Sequence, residues 1–177
     1  MKIAFILVCT LALAFTGSAR ATDFTQYVNP FIGTGAVHGG LSGNNYPGAT
    51  VPFGMVQLSP DTREAPDWAQ ASGYDYNDTT IYGFSHTRLS GTGASDLIDL
   101  LLMPTTGNRT SSTFSHEREE AHPGYYQVFL KDEGINAELT ATTRTGIHRY
   151  TYPETKDAEL IIDLDHSANK ESWNRKI

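Results

Sequence analysis

Short segments in which apolar and polar side chains alternate fill the second half of the sequence, and they constrain the fold more than any other feature. In INAELTA (135–141), every second residue is apolar. Because successive side chains of a strand point to opposite faces, this pattern predicts a strand with one buried face. The segment GYYQVFLKD (124–132) precedes it across an Asp-Glu-Gly turn, which predicts a β-hairpin.

Two more strands are predicted at similar spacing, GIHRYTY (146–152) and AELIIDLD (158–165). An apolar run at 97–103, closed by Pro104, is a further candidate strand. After residue 21, no window shows a sustained 3.6-residue apolar period, so the sequence predicts no helix. Short strands at even spacing are typical of an antiparallel sandwich or barrel, and we therefore predict an all-β fold.

The first 21 residues have the pattern of a secretory signal peptide. Lys2 gives a positive start, an apolar run covers residues 3–15, and Ala-Arg-Ala at 19–21 fits a cleavage site. The run is short for a bilayer span, so a retained membrane anchor is the weaker interpretation. We expect cleavage after Ala21, a secreted or periplasmic protein, and one domain over residues 22–177.

Cysteine content indicates how the fold is stabilised, and net charge limits the classes of partner. The only cysteine, Cys9, lies in the predicted leader, so the rest of the chain depends on a hydrophobic core rather than on disulfides. The formal net charge is −7, which argues against nucleic acid, because binding phosphates requires a basic patch. No apolar stretch after the leader is long enough for a transmembrane helix.

Two stretches rich in glycine are candidates for a binding site. Residues 31–54 combine many glycines with two prolines, which predicts a long loop, and long structured loops often carry function. Residues 73–93 combine glycines with aromatic and polar side chains, as a sugar site requires. Packing of these rings in a β core is the stronger interpretation on composition alone. The candidates in and near this stretch are Trp68, Tyr74, Tyr76, Tyr82, His86, Arg88 and Ser90.

Other chemistries have weaker support. Ser42 and Ser90 each lack one glycine of a nucleophile elbow, and neither Gly-x-Gly pair has the third glycine of a dinucleotide loop. Asp163, Asp165 and His166 could bind a metal ion, although a solvated strand end is the stronger interpretation. Asp96 and Asp99 form a similar weak pair, and Asn77 and Asn108 lie in N-glycosylation patterns. The twenty acidic residues nominate many glycosidase pairs and exclude none.

An ordered series of motifs resembles the N-terminal domain of glycoside hydrolase family 92, whose members are secreted, exo-acting alpha-mannosidases, chiefly specific for alpha-1,2 linkages. The resemblance covers residues 27 to about 165 and rests on YVNPFIGTG, YPGATVPFGMVQLSPDTR, SGYDYNDTTIYGFSHTRLSGTGASD, LLMPTTG, FSHEREEAHPGYYQVFL and AELTATTRTGIHRYTYP. It implies a β-sandwich that packs on an (α/α)6 barrel, with the active site between the two. It also implies hydrolysis with inversion, which uses a carboxylic acid and a carboxylate base.

The resemblance further implies that calcium helps to distort the mannose ring. The family's acid, base and main calcium ligands lie in the helical domain, so we assign no catalytic residue and no metal ligand to this chain. We expect residues 22–177 to be an incomplete sandwich, without its last strands and without the helical partner. Such a chain is expected to be inactive by itself and poorly soluble.

By position, the family's sugar contacts fall near Gly48, Trp68 and the segment from His86 to Gly91. Trp68 would form an apolar wall, and His86 would hydrogen-bond sugar hydroxyls. Members usually have Ser-His-Thr-His-Leu-Ser-Gly where this chain has Arg88 in place of the second histidine. Since arginine is longer and always charged, we expect it to alter a subsite. The predicted substrate-binding residues are Gly48, Trp68, His86, Arg88, Ser90 and Gly91.

These observations predict the carbohydrate-binding part of a secreted alpha-mannosidase that acts on mannose-containing glycans. The alternative is a stand-alone, non-catalytic carbohydrate-binding module. Catalysis by this chain alone is the weakest interpretation, because it needs an acid and base pair at the separation that inversion requires.

Overall fold

The computed structural model describes residues 22–35, 43–64, 68–94 and 96–168. In these ranges there are ten β-strands and three short 3-10 helices, with no α-helix. The predicted leader lies outside the described residues. The strands are β1 Leu58–Asp61, β2 Thr80–Ile81, β3 Gly83–His86, β4 Leu101–Thr105, β5 Ser112–Thr113, β6 Glu119–His122, β7 Tyr125–Leu130, β8 Ile135–Ala141, β9 Gly146–Thr151 and β10 Glu159–Asp163. The 3-10 helices are Phe24–Tyr27, Trp68–Gln70 and His116–Arg118.

The strands form two main antiparallel sheets. The first sheet has the order β1-β3-β4-β10, the second has the order β6-β7-β8-β9, and β2 pairs with β5. All pairings in these sheets are antiparallel. Within the described ranges, no helix is long and apolar enough to cross a bilayer.

The core lies between the two sheets. Leu58 and Phe84 of the first sheet belong to one buried cluster with Tyr126, Val128 and Leu139 of the second. Each such side chain contributes roughly 1.5–3 kcal/mol when it is removed from water. The fold is therefore a β-sandwich, and the predicted all-β class is confirmed.

The second half of the sequence predicted its strands well. The predicted hairpin at 124–141 is β7 and β8, whose buried and partly exposed residues alternate along each strand. Residues 146–152 and 158–165 contain β9 and β10, each shorter than predicted. Residues 31–35 and 43–54 form no strand, apart from an isolated bridge between Ala49 and Leu58.

The strand predicted at 97–103 was placed too early. Strand β4 begins at Leu101 and continues through Pro104, while Leu97 and Ile98 have positive φ values of 66° and 55°. Among the described residues, β3 pairs with residues 101 and 102 of β4, whereas Pro104 pairs with β10 alone. A proline is tolerated in a strand where its nitrogen faces a side without a ladder partner.

Candidate functional site

Three of the predicted substrate-binding residues meet at the loop that carries Asn44 and Asn45. The carbonyl of Trp68 accepts a hydrogen bond of 3.2 Å from the Asn44 side-chain amide. The Gly91 N–H donates to the Asn44 carbonyl at 2.8 Å. The Ser90 hydroxyl donates to the Asn45 side-chain oxygen at 2.9 Å. These five residues, the Trp68 cluster, bring together segments that are far apart in the sequence.

The indole of Trp68 is available to a ligand. The residue begins a 3-10 helix and is 60% exposed. Gly93 lies beside the ring, since a Cβ added there would be 3.9 Å from Trp68 Cε3. The face of an aromatic ring carries partial negative charge, which suits the C–H groups of a pyranose. An exposed indole next to glycine and polar side chains can therefore bind one face of a sugar.

Gly48 is buried beside β1. A Cβ at this position would lie 2.0 Å from the Leu58 carbonyl oxygen and 2.3 Å from the Ser59 Cβ. No side chain fits in that space, so the glycine permits close packing of the loop on the strand. Its predicted contact with substrate remains a prediction, and only its backbone could make it.

Arg88 lies in the interior, where its side chain is fully buried. Its Nη2 is 3.1 Å from Asp61 Oδ1 and donates to the Ser85 hydroxyl at 2.6 Å. Its Nη1 donates to the Ser72 carbonyl at 2.6 Å. Gly73, with φ +81°, leaves room for this ion pair, because a Cβ there would lie 2.3 Å from Asp61 Oδ1. The guanidinium thus stabilises the fold, and its placement gives no support to the predicted change of a sugar subsite.

His86 faces a second histidine across the sandwich. Its Nε2 lies 2.8 Å from Nε2 of His148, and the two rings stack 5.0 Å apart at 11°. Nδ1 of His148 is 2.8 Å from the Tyr150 hydroxyl. Burial, and then electrostatic repulsion by His86, lower the pKa of His148 to about 4. Burial, and then the charge of Arg88, also lower the pKa of His86.

Sequence reasoning missed the partners of His86. His148 and Tyr150 alternate along β9 and pair with core residues of β8, so both point into the sandwich. The alternation in GIHRYTY indicates that these two side chains share a face. No pattern in the sequence indicates that His86 lies opposite them.

The buried carboxylate of Glu119 forms hydrogen bonds with part of the aromatic segment 73–93. It accepts hydrogen bonds from the hydroxyls of Tyr74 and Tyr126, at 3.0 and 2.6 Å. Nδ1 of His116 lies 2.5 Å from its other oxygen, and Tyr76 stacks on the His116 ring at 3.9 Å. Tyr74 is fully buried, as the core interpretation predicted. Because its oxygens are occupied by donors, Glu119 is suited to structure and not to general acid or base chemistry.

The candidate metal ligands are not gathered around one point. Asp163 accepts the backbone N–H of Asp165 at 2.8 Å, whereas His166 Nε2 lies 3.3 Å from the buried Asp61. In the ranges that the structure describes, no three His, Cys, Asp or Glu side chains could hold a metal ion together. These residues do not fit the calcium ion that the resemblance implies.

Known proteins that are similar to this chain are glycosidases. The model of the glycosyl hydrolase family 92 N-terminal domain matches residues 27–177. A protein of Arthroderma benhamiae described as an uncharacterized secreted glycosidase is 27% identical over 178 residues, which cover 90% of this chain and 21% of that protein.

Two solved structures from Bacteroides thetaiotaomicron are also similar. The family GH92 alpha-mannosidase BT3965, in complex with mannoimidazole, is 45% identical with a TM-score of 0.75, over 81% of this chain and 20% of that one. The family GH92 inverting mannosidase BT2199 is 31% identical with a TM-score of 0.68, over 82% of this chain and 20% of that one. The chain thus spans about a fifth of the length of these relatives.

Proposed function

Because this chain belongs to glycosyl hydrolase family 92, whose N-terminal domain matches residues 27–177, we propose that it supplies the sandwich side of a mannose-binding cleft. The substrates are alpha-mannosides, chiefly the alpha-1,2-linked mannose of N-glycans, and the complete enzyme is secreted and cleaves them with inversion. Two solved relatives, an alpha-mannosidase with bound mannoimidazole and an inverting mannosidase, support this assignment.

The Trp68 cluster is the observation that carries the proposal. It presents an exposed indole beside hydroxyl and amide groups, on loops that are tied to one another by hydrogen bonds. Apolar surface together with a few fixed polar groups is the usual composition of a small-molecule site. In this proposal Trp68 packs on the mannose face, while Ser90 and the backbone near Gly91 fix the position of the ring edge.

The family resemblance implies that the catalytic acid and base lie in another domain, and two buried carboxylates of this chain agree with that assignment. Inversion requires an acid and a base roughly 6.5–9.5 Å apart, with room for water between them. The buried carboxylates of Asp61 and Glu119 are engaged with Arg88, tyrosines and histidine. In line with the family resemblance, we assign the acid and the base to an (α/α)6 partner domain outside these residues.

Titration with methyl alpha-mannoside tests the sugar-binding part of the proposal. The Trp68 indole N–H is followed by NMR in the isotope-labelled chain, with methyl alpha-glucoside as the comparison sugar. We expect saturable shifts with the mannoside, and we expect Trp68→Ala to abolish them. Phe24→Ala, which removes another aromatic ring of 70% exposure, is the matched control and should leave binding unchanged.

Two results would contradict the proposal. Absence of any saturable change with mannoside would remove the binding role of Trp68. Release of mannose from an alpha-1,2-mannobiose by purified chain would contradict the assignment of the acid and base to another domain.

A further inference from the structure

His86, His148 and Tyr150 form a chain of hydrogen bonds inside the sandwich. His86 ends β3, where it pairs with the core residue Leu58, and the other two side chains come from β9 in the opposite sheet. The contacts are 2.8 Å between the two Nε2 atoms and 2.8 Å between His148 Nδ1 and the Tyr150 hydroxyl. A neutral imidazole has one N–H donor and one acceptor nitrogen. The direction of one hydrogen bond of His148 therefore determines the direction of the other.

The direction is fixed at the tyrosine end. Burial raises the pKa of Tyr150 far above its usual value, so the phenol keeps its proton. In the part of the chain that the structure describes, His148 Nδ1 is the acceptor that lies within reach of this hydroxyl. If His148 donated instead, the phenol proton would be buried without an acceptor, which is unfavourable. The Tyr150 hydroxyl therefore donates to His148.

The rest of the chain follows from this first bond. With its Nδ1 accepting, neutral His148 carries its proton on Nε2 and donates to Nε2 of His86. His86 then accepts at Nε2 and carries its own proton on Nδ1. Burial disfavours protonation of His86, and so does the guanidinium of Arg88, which is held by Asp61. Both rings are therefore neutral near pH 7.

We propose that His148 and Tyr150 are positioning residues that lock His86 in the tautomer with a proton on Nδ1, so that this N–H is the donor offered to a sugar hydroxyl. The donation to a sugar hydroxyl rests on the function proposed above, whereas the tautomer of His86 does not. His86 is half-buried, and no described residue bonds its Nδ1. In water, by contrast, a neutral histidine side chain prefers the proton on Nε2, so the sandwich reverses an intrinsic preference.

Nitrogen chemical shifts of histidine-labelled chain test the tautomer directly, without any sugar. In the wild-type chain at pH 7.5, we expect a protonated Nδ1 and an unprotonated Nε2 for His86, and the opposite pattern for His148. Tyr150→Phe keeps the ring but removes the donor, so we expect His86 to shift toward the Nε2-protonated form. Tyr152→Phe, which removes a hydroxyl that donates to the Glu159 carbonyl, is the matched control and should leave both patterns unchanged.

The same variants connect the tautomer to binding. We expect Tyr150→Phe to weaken methyl alpha-mannoside binding by about threefold to tenfold, the usual effect of one hydrogen bond. A wild-type His86 protonated on Nε2, or a Tyr150→Phe chain with an unchanged pattern, would overturn the tautomer lock. A confirmed lock with no mannoside binding in any variant would count against the proposed function and would leave the lock standing as a structural feature.

Discussion

At the scale of single residues, the sequence named candidate positions but could not give the directions of their side chains. Trp68 and Ser90 meet at one loop, as a binding site requires. Arg88 follows His86 by two residues, yet its guanidinium is buried against Asp61. Side-chain direction depends on which segment covers each face of the sheet. That arrangement is set by contacts between distant residues, which local patterns do not contain.

Removal of the buried arginine should be far more costly than removal of an exposed one. Arg88→Ala leaves Asp61 buried with its main charge partner lost, and we expect the free energy of unfolding to fall by about 3–5 kcal/mol. Arg149→Ala breaks the ion pair with Glu138, but the Arg149 side chain is 72% exposed, so we expect a much smaller loss. Urea denaturation of both variants gives the comparison. Equal losses would contradict a structural role for Arg88.

At the scale of elements, the alternating pattern succeeded where one face of a strand is apolar. Strands β7 and β8 follow this rule. Strands β1 and β3 were missed because each has only four residues and contains a proline or a glycine, Pro60 or Gly83. Such short segments with a turn-type residue resemble loops in the sequence. In the structure these two strands are defined by their pairing, β1 with β3 and β3 with β4.

The packing of the glycine-rich loop on β1 can be tested with one methyl group. Gly48→Ala places a Cβ 2.0 Å from the Leu58 carbonyl oxygen, which forces the loop away from the strand. We expect a loss of about 1–3 kcal/mol in the free energy of unfolding, as for other overpacked sites. Gly107→Ala, where no atom lies within 4 Å of the added Cβ, is the control and should change stability by less than about 0.5 kcal/mol. Thermal melting of both variants measures the difference, and an unchanged Gly48→Ala chain would show that the loop is not held against β1.

At the scale of the whole molecule, the two sheets meet through polar as well as apolar contacts. Leu58 and Phe84 pack into the shared core, while His86 and His148 join the sheets at a hydrogen-bond distance of 2.8 Å. The fold class could be predicted from strand spacing and from the family resemblance. The histidine contact could not, because it joins residues 62 positions apart in two different sheets. The contact between His86 and His148 makes the stability of the sandwich depend on pH.

The sign of that dependence follows from the lowered pKa values. The folded pKa of His148 is about 4, against roughly 6.5 when unfolded, so the unfolded chain binds more protons between these values. The contribution of His148 is fully present above pH 6.5 and is lost as the pH falls toward 4, and it amounts to about 3 kcal/mol. His148→Phe removes the titrating group. As the pH falls, we expect the unfolding free energy of this variant to decrease less steeply than that of the wild type. The difference in slope should correspond to nearly one proton bound by the unfolded chain. Urea denaturation from pH 7 to pH 4.5 compares the two slopes, with Tyr152→Phe as a control that should follow the wild type. Identical slopes for His148→Phe and wild type would show that His148 is not held neutral by the fold, because only a depressed pKa links this ring to stability.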